Sequence, residues 1–413
     1  MSRESTAPRT AVSLLRDPVF GPYFGAKVFS TAGIWAYNIV AAILVYDLTR
    51  SAFQVGLVSV AQFAPQLVFA PLAGVVADRW DRRRLLILGR LAIVLGSGGL
   101  ALLVVIVGVT GLPGAWPVLV GAGVVGIGFA ISAPAQNALL PSLVERKDLA
   151  PAIALNAVPP TLARAAGPAL GALIAATAGP ATAFGLAALT NLIFIAVLWR
   201  LRVAPHRRAA GSSRDDRMRA GVLHLWNDRV SALLILAVMA VSIGSDPVLT
   251  LTPALAASFG GGAQLVGTLA SAFGIGTALT FVFLHRVRGR IGLASTGTSG
   301  LVLMSIGTAL TSFAAGPLMA VVTLAIAGVG FTLAMTAFST LLQQRLPEEV
   351  RGRVMALWSV SFLGSRPLAS ALHGSIADSI SNQAAFLTSA LAVGVIAWST
   401  RPAALHRRGR AKT

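Results

Sequence analysis

Cysteine is absent from the 413-residue chain, which excludes a disulfide framework, thiolate metal sites and cysteine nucleophiles. Charge is scarce too. Only 11% of residues are Asp, Glu, Lys or Arg, against about 25% in soluble domains, so water is not the main solvent of this chain. Also missing are an HExxH zinc motif, an acid pair inside any apolar run and a phosphate-binding P-loop. Their absence argues against metallohydrolase, paired-carboxylate and ATP-driven chemistry. No cofactor and no metal is expected, and the chain does not read as an enzyme.

What fills the chain is apolar: 55% of residues are hydrophobic, in repeated stretches long enough to cross a bilayer. Its 42 glycines and 21 prolines suit membrane helices, where neighbours re-satisfy freed backbone groups. Twelve spans are predicted, over 19–47, 53–77, 84–109, 116–142, 149–177, 181–200, 230–256, 263–286, 291–314, 317–345, 351–377 and 383–400. The polar, basic residues to Arg16 precede an apolar run too long for a signal-peptide core, so this run reads as an uncleaved first span.

The net charge of +19 invites a nucleic-acid reading, but its distribution argues against such a partner. All but four of the 33 Lys and Arg fall on one face: Arg50 sits in an outer loop, and Lys27, Arg164 and Arg366 lie inside spans. Basic residues crowd cytoplasmic loops. Both termini, the loop 78–84, the connector 200–229 and the basic tail are therefore expected in the cytoplasm of a cell-membrane protein, and the expected environment is a lipid bilayer.

An internal repeat is visible at one fixed offset. Gly126, Gly128, Phe129, Ala135, Leu139 and Leu140 fall on Gly328, Gly330, Phe331, Ala337, Leu341 and Leu342, and the register continues to place Arg164 on Arg366 and Phe184 on Phe386. A second offset places Asp17 on Asp228 and Gly33 on Gly244. The expected fold is all-α, with twelve transmembrane helices in two six-helix bundles related by a pseudo-two-fold axis along the membrane normal. The bundles are residues 1–200 and 229–413, joined by a cytoplasmic linker, 201–228. A monomer is expected.

The most specific local signal is GVVADRWDRRRLL at residues 74–86. Asp78 falls where the second span ends, and a carboxylate is unfavourable beside the negative end of a helix dipole. A partner among Arg79, Arg82, Arg83 or the start of the eleventh span would make it a gate; alternatively, the arginines only set topology. Gly74, Asp78, Arg79, Arg82 and Arg83 resemble the signature between helices 2 and 3 of the major facilitator superfamily. Asp81 before the arginines, with LLPSLVERKDLAPAIALN at 139–156, LARAAGPALGALI at 162–174 and LPEEVRGRVMALW at 346–358, is similar to its enterobactin-exporter and macrolide-efflux branch. The resemblance implies a central cavity, alternating access and proton-coupled export. Two departures are visible. Gly289 stands opposite Asp78 in the second half, and Gly167, Pro168 and Gly171 give only a shortened export motif.

Ionisable groups at membrane depth face the bundle interior or a watery cavity. Lys27, Arg164, Asp246 and Arg366 are such groups. Arg164 lies about 21 Å along its span at 1.5 Å per residue. The two arginines either hold an anionic or phenolate-bearing substrate, lock the halves together through carbonyls, or bond neighbouring helix ends. Asp246 is the acid in the core of a span and the candidate proton carrier; a fixed ion pair with Arg366 or Lys27 is the alternative, and His373 is a second titrating candidate. Because helices 1, 4, 7 and 10 line the cavity in the resembling family, Asn38, Gln136, Asn137 and Gln343 are cavity candidates, with Trp35 and Tyr37 as stacking groups. The reading is a secondary transporter exporting a small amphiphilic, siderophore- or antibiotic-like compound against protons. An importer or lipid flippase of the same fold, a non-transporting receptor and an enzyme are the alternatives.

Overall fold

The computed structural model describes residues 9–79, 81–201, 225–226 and 228–405, without the side chains of 70–79 and 349. Every regular element among them is helical. The long helices are α1 (Phe20–Thr49), α2 (Ala52–Arg79), α3 (Arg82–Val107), α4 (Trp116–Leu139), α5 (Val158–Ala178, after a short helix Leu149–Asn156) and α6 (Pro180–Arg200). There follow α7 (Arg229–Ser245, continued by Pro247–Thr250 and Thr252–Ser258), then α8 and α9, which are residues 263–291 and 293–312 of one run, Ala263–Ser312. The last are α10 (Pro317–Arg345), α11 (Glu348–Ser379) and α12 (Asn382–Ser399). Counting Ala263–Ser312 once, ten stretches among the described residues are long and apolar enough to cross a membrane; α11 is as long but more polar.

Local chemistry sets the ends. Proline occupies the first turn of α4, α5, α6 and α10, where its missing N–H costs nothing. Gly108 and Gly179 end α3 and α5 at φ of 71° and 83°, a region open to glycine. Asp81 caps α3, accepting from the Arg84 N–H at 2.8 Å, and Ser381 caps α12, accepting from Ala384 N–H at 3.0 Å. Two of the expected boundaries differ from what forms. Residues 287–290, expected as a loop, are helical, and Gly292 alone absorbs the turn at φ 78°. The fifth and seventh spans are interrupted, at Ala157 and at Asp246.

Among α1–α6, α1 packs on α5 and α6, α3 on α4 and α6, and α2 on α4; among α7–α12, α10 packs on α7 and on the α8–α9 run, and α12 on that run. Two crossings join the sets: α5 on α8, and α2 on α11. Glycine makes both close. A Cβ on Gly274 of α8 would lie 2.1 Å from the Arg164 carbonyl oxygen of α5, and one on Gly56 of α2 would lie 2.4 Å from the Ser370 carbonyl oxygen of α11. Large aliphatic side chains such as Leu95, Val105, Val282, Leu318 and Leu368 are exposed, on a scale that water would not tolerate and lipid would. This is a multi-pass membrane protein.

Candidate functional site

A cavity of about 330 Å³ lies between the helices. Its walls come from the first part of α1, α3 and α5, the last part of α4, and the middle of α2 and α11, and therefore from the half of the molecule nearer the end where α1 starts. Seven of the residues singled out from sequence meet there: Lys27, Trp35, Asn38, Gln136, Asn137, Arg164 and Arg366; Tyr37 packs on Phe184 instead. Gln343 does not line it either. It is exposed in the last turns of α10, where its amide donates to Ser339 Oγ at 3.2 Å, on a different face of the helix from the buried Leu342.

Arg164 and Arg366 are held by aromatic faces instead of carboxylates. The Arg164 guanidinium lies 4.4 Å from the Phe331 ring centre and 5.2 Å from that of Trp35, and Arg366 lies 5.0 Å from Phe63 and 5.6 Å from Phe362. Among the described residues neither guanidinium has a hydrogen-bond or ion-pair partner, and the Nε of each is buried. The expected carbonyl lock between halves is therefore not made by these side chains. Both arginines are followed closely by proline, Pro168 and Pro367, which removes an intrahelical bond. At Pro168 the disturbance is taken up by α8: the Ala169 N–H donates to Ser271 Oγ at 2.9 Å.

Arg90 is a cavity residue that the sequence reading assigned to the cytoplasmic charge cluster. It is 4% exposed, inside α3, donating to Ser30 Oγ at 2.8 Å, to Asn191 Oδ1 at 3.0 Å and to Gln136 Oε1, over the ring of Phe194 at 4.7 Å. Lys27, equally buried, donates to Asn156. All these partners are neutral. No carboxylate stands among the described lining residues.

Asp246 is placed by a helix break. Pro247 cannot donate to the Ile243 carbonyl, which is taken instead by the Asp246 N–H at 3.2 Å and by Ser389 Oγ of α12 at 3.4 Å. The carboxylate at that break is 4% exposed and bonds neither Lys27 nor Arg366. One oxygen faces His373 Nδ1 at 2.9 Å, and the other accepts from Ser370 and from Thr250 Oγ1 at 3.3 Å. Arg366, Ser370 and His373 are spaced i, i+4, i+7 on α11 and so share one face. That face joins the cavity to the buried acid.

The two ends of the molecule are built differently. At the end where α1 finishes, Asp378 of α11 accepts from the Ala52 and Phe53 N–H groups at 2.7 and 3.0 Å and from Ser51 Oγ, so a carboxylate from α11 caps α2. At the other end, Asp17 caps α1, accepting from Val19 and Phe20 N–H and pairing with Arg9 at 2.8 Å. Asp228 caps α7, accepting from Val230 N–H at 3.2 Å and pairing with Arg345 at 2.7 Å. Burial raises the Asp228 carboxyl, but hydrogen bonds from Arg345 and Ser231, the Arg345 charge and the Val230 N–H outweigh it and hold the group at about 2.

Of the signature loop, Arg82 donates to the Ala138 carbonyl at 2.8 Å and Arg83 to that of Trp199, so both reach carbonyls at the ends of α4 and α6. The backbone of Gly74, Asp78 and Arg79 lies in α2, and their side chains fall outside the described residues, as does most of the linker.

Among known proteins, the chain is 28% identical over 375 residues to the enterobactin exporter EntS of Citrobacter koseri, covering 88% of this chain and 87% of that one. It is 27% identical over 381 residues to EntS of Salmonella typhi, with the same coverage. Among solved structures, a D-xylose–proton symporter matches with a TM-score of 0.74 at 13% identity, over 92% of this chain and 97% of the other. A bacterial homologue of the iron transporter ferroportin, in an inward-facing state, matches with a TM-score of 0.71 at 16% identity, over 94% and 99%. These structures share the fold. The model of the transmembrane secretion effector family matches residues 9–407. The chain belongs to that family, within the major facilitator superfamily, and is a membrane transporter rather than an enzyme.

Proposed function

We propose that this transporter exports a small amphiphilic compound in exchange for protons, by alternating access between two six-helix bundles, residues 1–200 and 229–413, joined by the linker 201–228. The bundles are related by the pseudo-two-fold axis that the repeat implies, and both termini face the cytoplasm of the cell membrane. The observation that carries the coupling is the buried Asp246–His373 pair with Ser370 and Thr250 around it. A carboxylate at membrane depth is costly, and one whose partners are titratable or neutral, not fixed cations, can take up and release a proton as access changes.

The cavity lies toward the end that the charge distribution assigns to the cytoplasm, while Asp378 clasps the other, which fits an inward-facing member of the cycle. Gly74, Asp78 and Arg79, at the end of α2, are then the gate that forms when the cytoplasmic side closes, with Arg82 and Arg83 anchoring the turn to α4 and α6. The enterobactin exporters among its relatives make a siderophore-like cargo the first to try. The test is reconstitution in proteoliposomes with an imposed pH gradient: the gradient drives accumulation of enterobactin or another amphiphile, and Asp246→Asn abolishes it while leaving exchange without a gradient. A gradient that moves no compound, with Asp246→Asn indistinguishable from the unmutated protein, overturns the proposal.

A further inference from the structure

We infer that the central cavity is an anion site, and that its ligand is an aromatic or conjugated compound carrying a carboxylate or phenolate, gripped between Arg164 of α5 and Arg366 of α11. The inference rests on the transport reading only in taking this cavity for the substrate's.

Charge is the first argument. Lys27, Arg90, Arg164 and Arg366 line one space of about 330 Å³, and the described lining holds no carboxylate to offset them. Lys27 and Arg90 are bonded to neutral amides and a hydroxyl; this satisfies donors but leaves the charge uncompensated. Asp246, on α7, partly offsets the charge of Arg366 across space but spends its oxygens on Ser370, Thr250 and His373, and one acid does not balance four cations. Buried charges are costly unless paired, so the missing counter-charge belongs to what the cavity receives. A cationic ligand would add to the excess.

Geometry is the second. A guanidinium lying over an aromatic face keeps its edge free, and that edge is the fork that meets a carboxylate with two parallel hydrogen bonds. Arg164 lies over Trp35 and Phe331, and Arg366 over Phe63 and Phe362, each with a buried Nε that has no partner among the described residues. The two forks come from opposite sets of helices and also face a second, much smaller space between α5, α7 and α8. Trp35, Phe63, Phe129 and Phe362 supply flat apolar walls, which suit a flat apolar body behind the anionic head.

The experiment is equilibrium calorimetry on the full-length protein in lipid nanodiscs with three matched probes: 2-naphthoate, the neutral 2-naphthamide and the cationic 2-naphthylmethylamine. The expected order is naphthoate at least about tenfold tighter than the amide, the step that 1.4 kcal/mol of added interaction gives, with the amine weakest. Arg164→Gln and Arg366→Gln should each remove that advantage and leave the amide unchanged; Arg164→Lys and Arg366→Lys should keep part of it, and together with melting curves they separate lost binding from lost folding. Equal affinity for the three probes, or glutamine variants that keep the full naphthoate preference, overturns the inference. Because no gradient is applied, the outcome is separate from proton coupling: Asp246→Asn should retain the naphthoate preference even where it abolishes driven flux. Charge selectivity without gradient-driven flux sinks the coupling alone, and gradient-driven flux without charge selectivity sinks the anion site alone.

Discussion

Asp17 and Asp228 fall on each other in the repeat and do the same work: each caps the first long helix of its set and each pairs with an arginine, Arg9 in one case and Arg345 in the other. Deeper in, the likeness ends. Helices α1–α6 bring Lys27, Arg90 and Arg164 to the interior, and helices α7–α12 bring Asp246 and His373, with Arg366 alone repeating a cation of the first set. Trp35 stands where the repeat would put a second Asp246. The two sets thus share their end-caps and divide their interior chemistry: three of the cavity's four cations come from one set, and the Asp246–His373 pair comes from the other.

That division can be attacked directly. The largest effect expected is from Asp246→Asn, which should reduce gradient-driven flux to background, whereas removing a cation of the first set should spare coupling and change what is bound. Second, Gly274→Leu should disrupt the α5–α8 crossing, since even a Cβ would meet the Arg164 carbonyl; overpacking of this kind costs about 1–3 kcal/mol or more, read as a lower melting temperature. Gly185→Ala, where nothing lies within 4 Å, is the control and should leave it unchanged. Third, Arg90→Leu removes the donor to Ser30 and to Gln136, at about 1–3 kcal/mol for each group orphaned, while Asn191 keeps the hydrogen bond from Ser30 Oγ at 3.0 Å. The melting temperature should fall, and Arg90→Lys should recover part of it.

Fourth, Asp378→Asn weakens the carboxylate cap on α2, worth about 0.5–2 kcal/mol. Cysteines introduced along α2 and α11 should react faster with a membrane-impermeant reagent from outside, an assay made clean by a chain with no cysteine of its own. The smallest effect belongs to the shared caps. Asp228 is held at about 2, below the unfolded value of about 3.9, so its contribution to stability is full above the unfolded value and lost as pH falls through the folded one. Asp228→Asn should therefore lower the melting temperature at neutral pH, and the gap between variant and parent should close between about pH 4 and about pH 2.

Hydropathy made the spans legible, and the repeat made the paired arginines legible, because an isolated cation in an apolar run is rare enough to carry meaning. Arg90 escaped because Arg82, Arg83 and Arg84 stand just before it and drew it into their cluster. The usable signal was GRLAIVLG, one cation between glycine and leucine well past the start of the span, together with Asn191, the isolated amide in the sixth. Gln343 was misplaced by a rule about which helices line a cavity; the helix was named without regard to depth, and this residue lies near its end. The partner of Asp246 was out of reach for a different reason. His373 is 127 residues away, and only the packing of α11 on α7 brings the two together.

The two glycine crossings have a mechanical consequence. Gly274 meets the carbonyl of Arg164, and Gly56 meets that of Ser370, the residue whose hydroxyl bonds Asp246. Two points of closest backbone approach define a line, and helices rocking against one another about that line swing their loop ends through the widest arcs while the points on it hardly shift. In the proposed alternating access, Arg164 and Ser370 would sit at this fulcrum. A cycle built on such an axis would expose one end and then the other while the anion-binding fork and the hydroxyl beside the acid stay where they are.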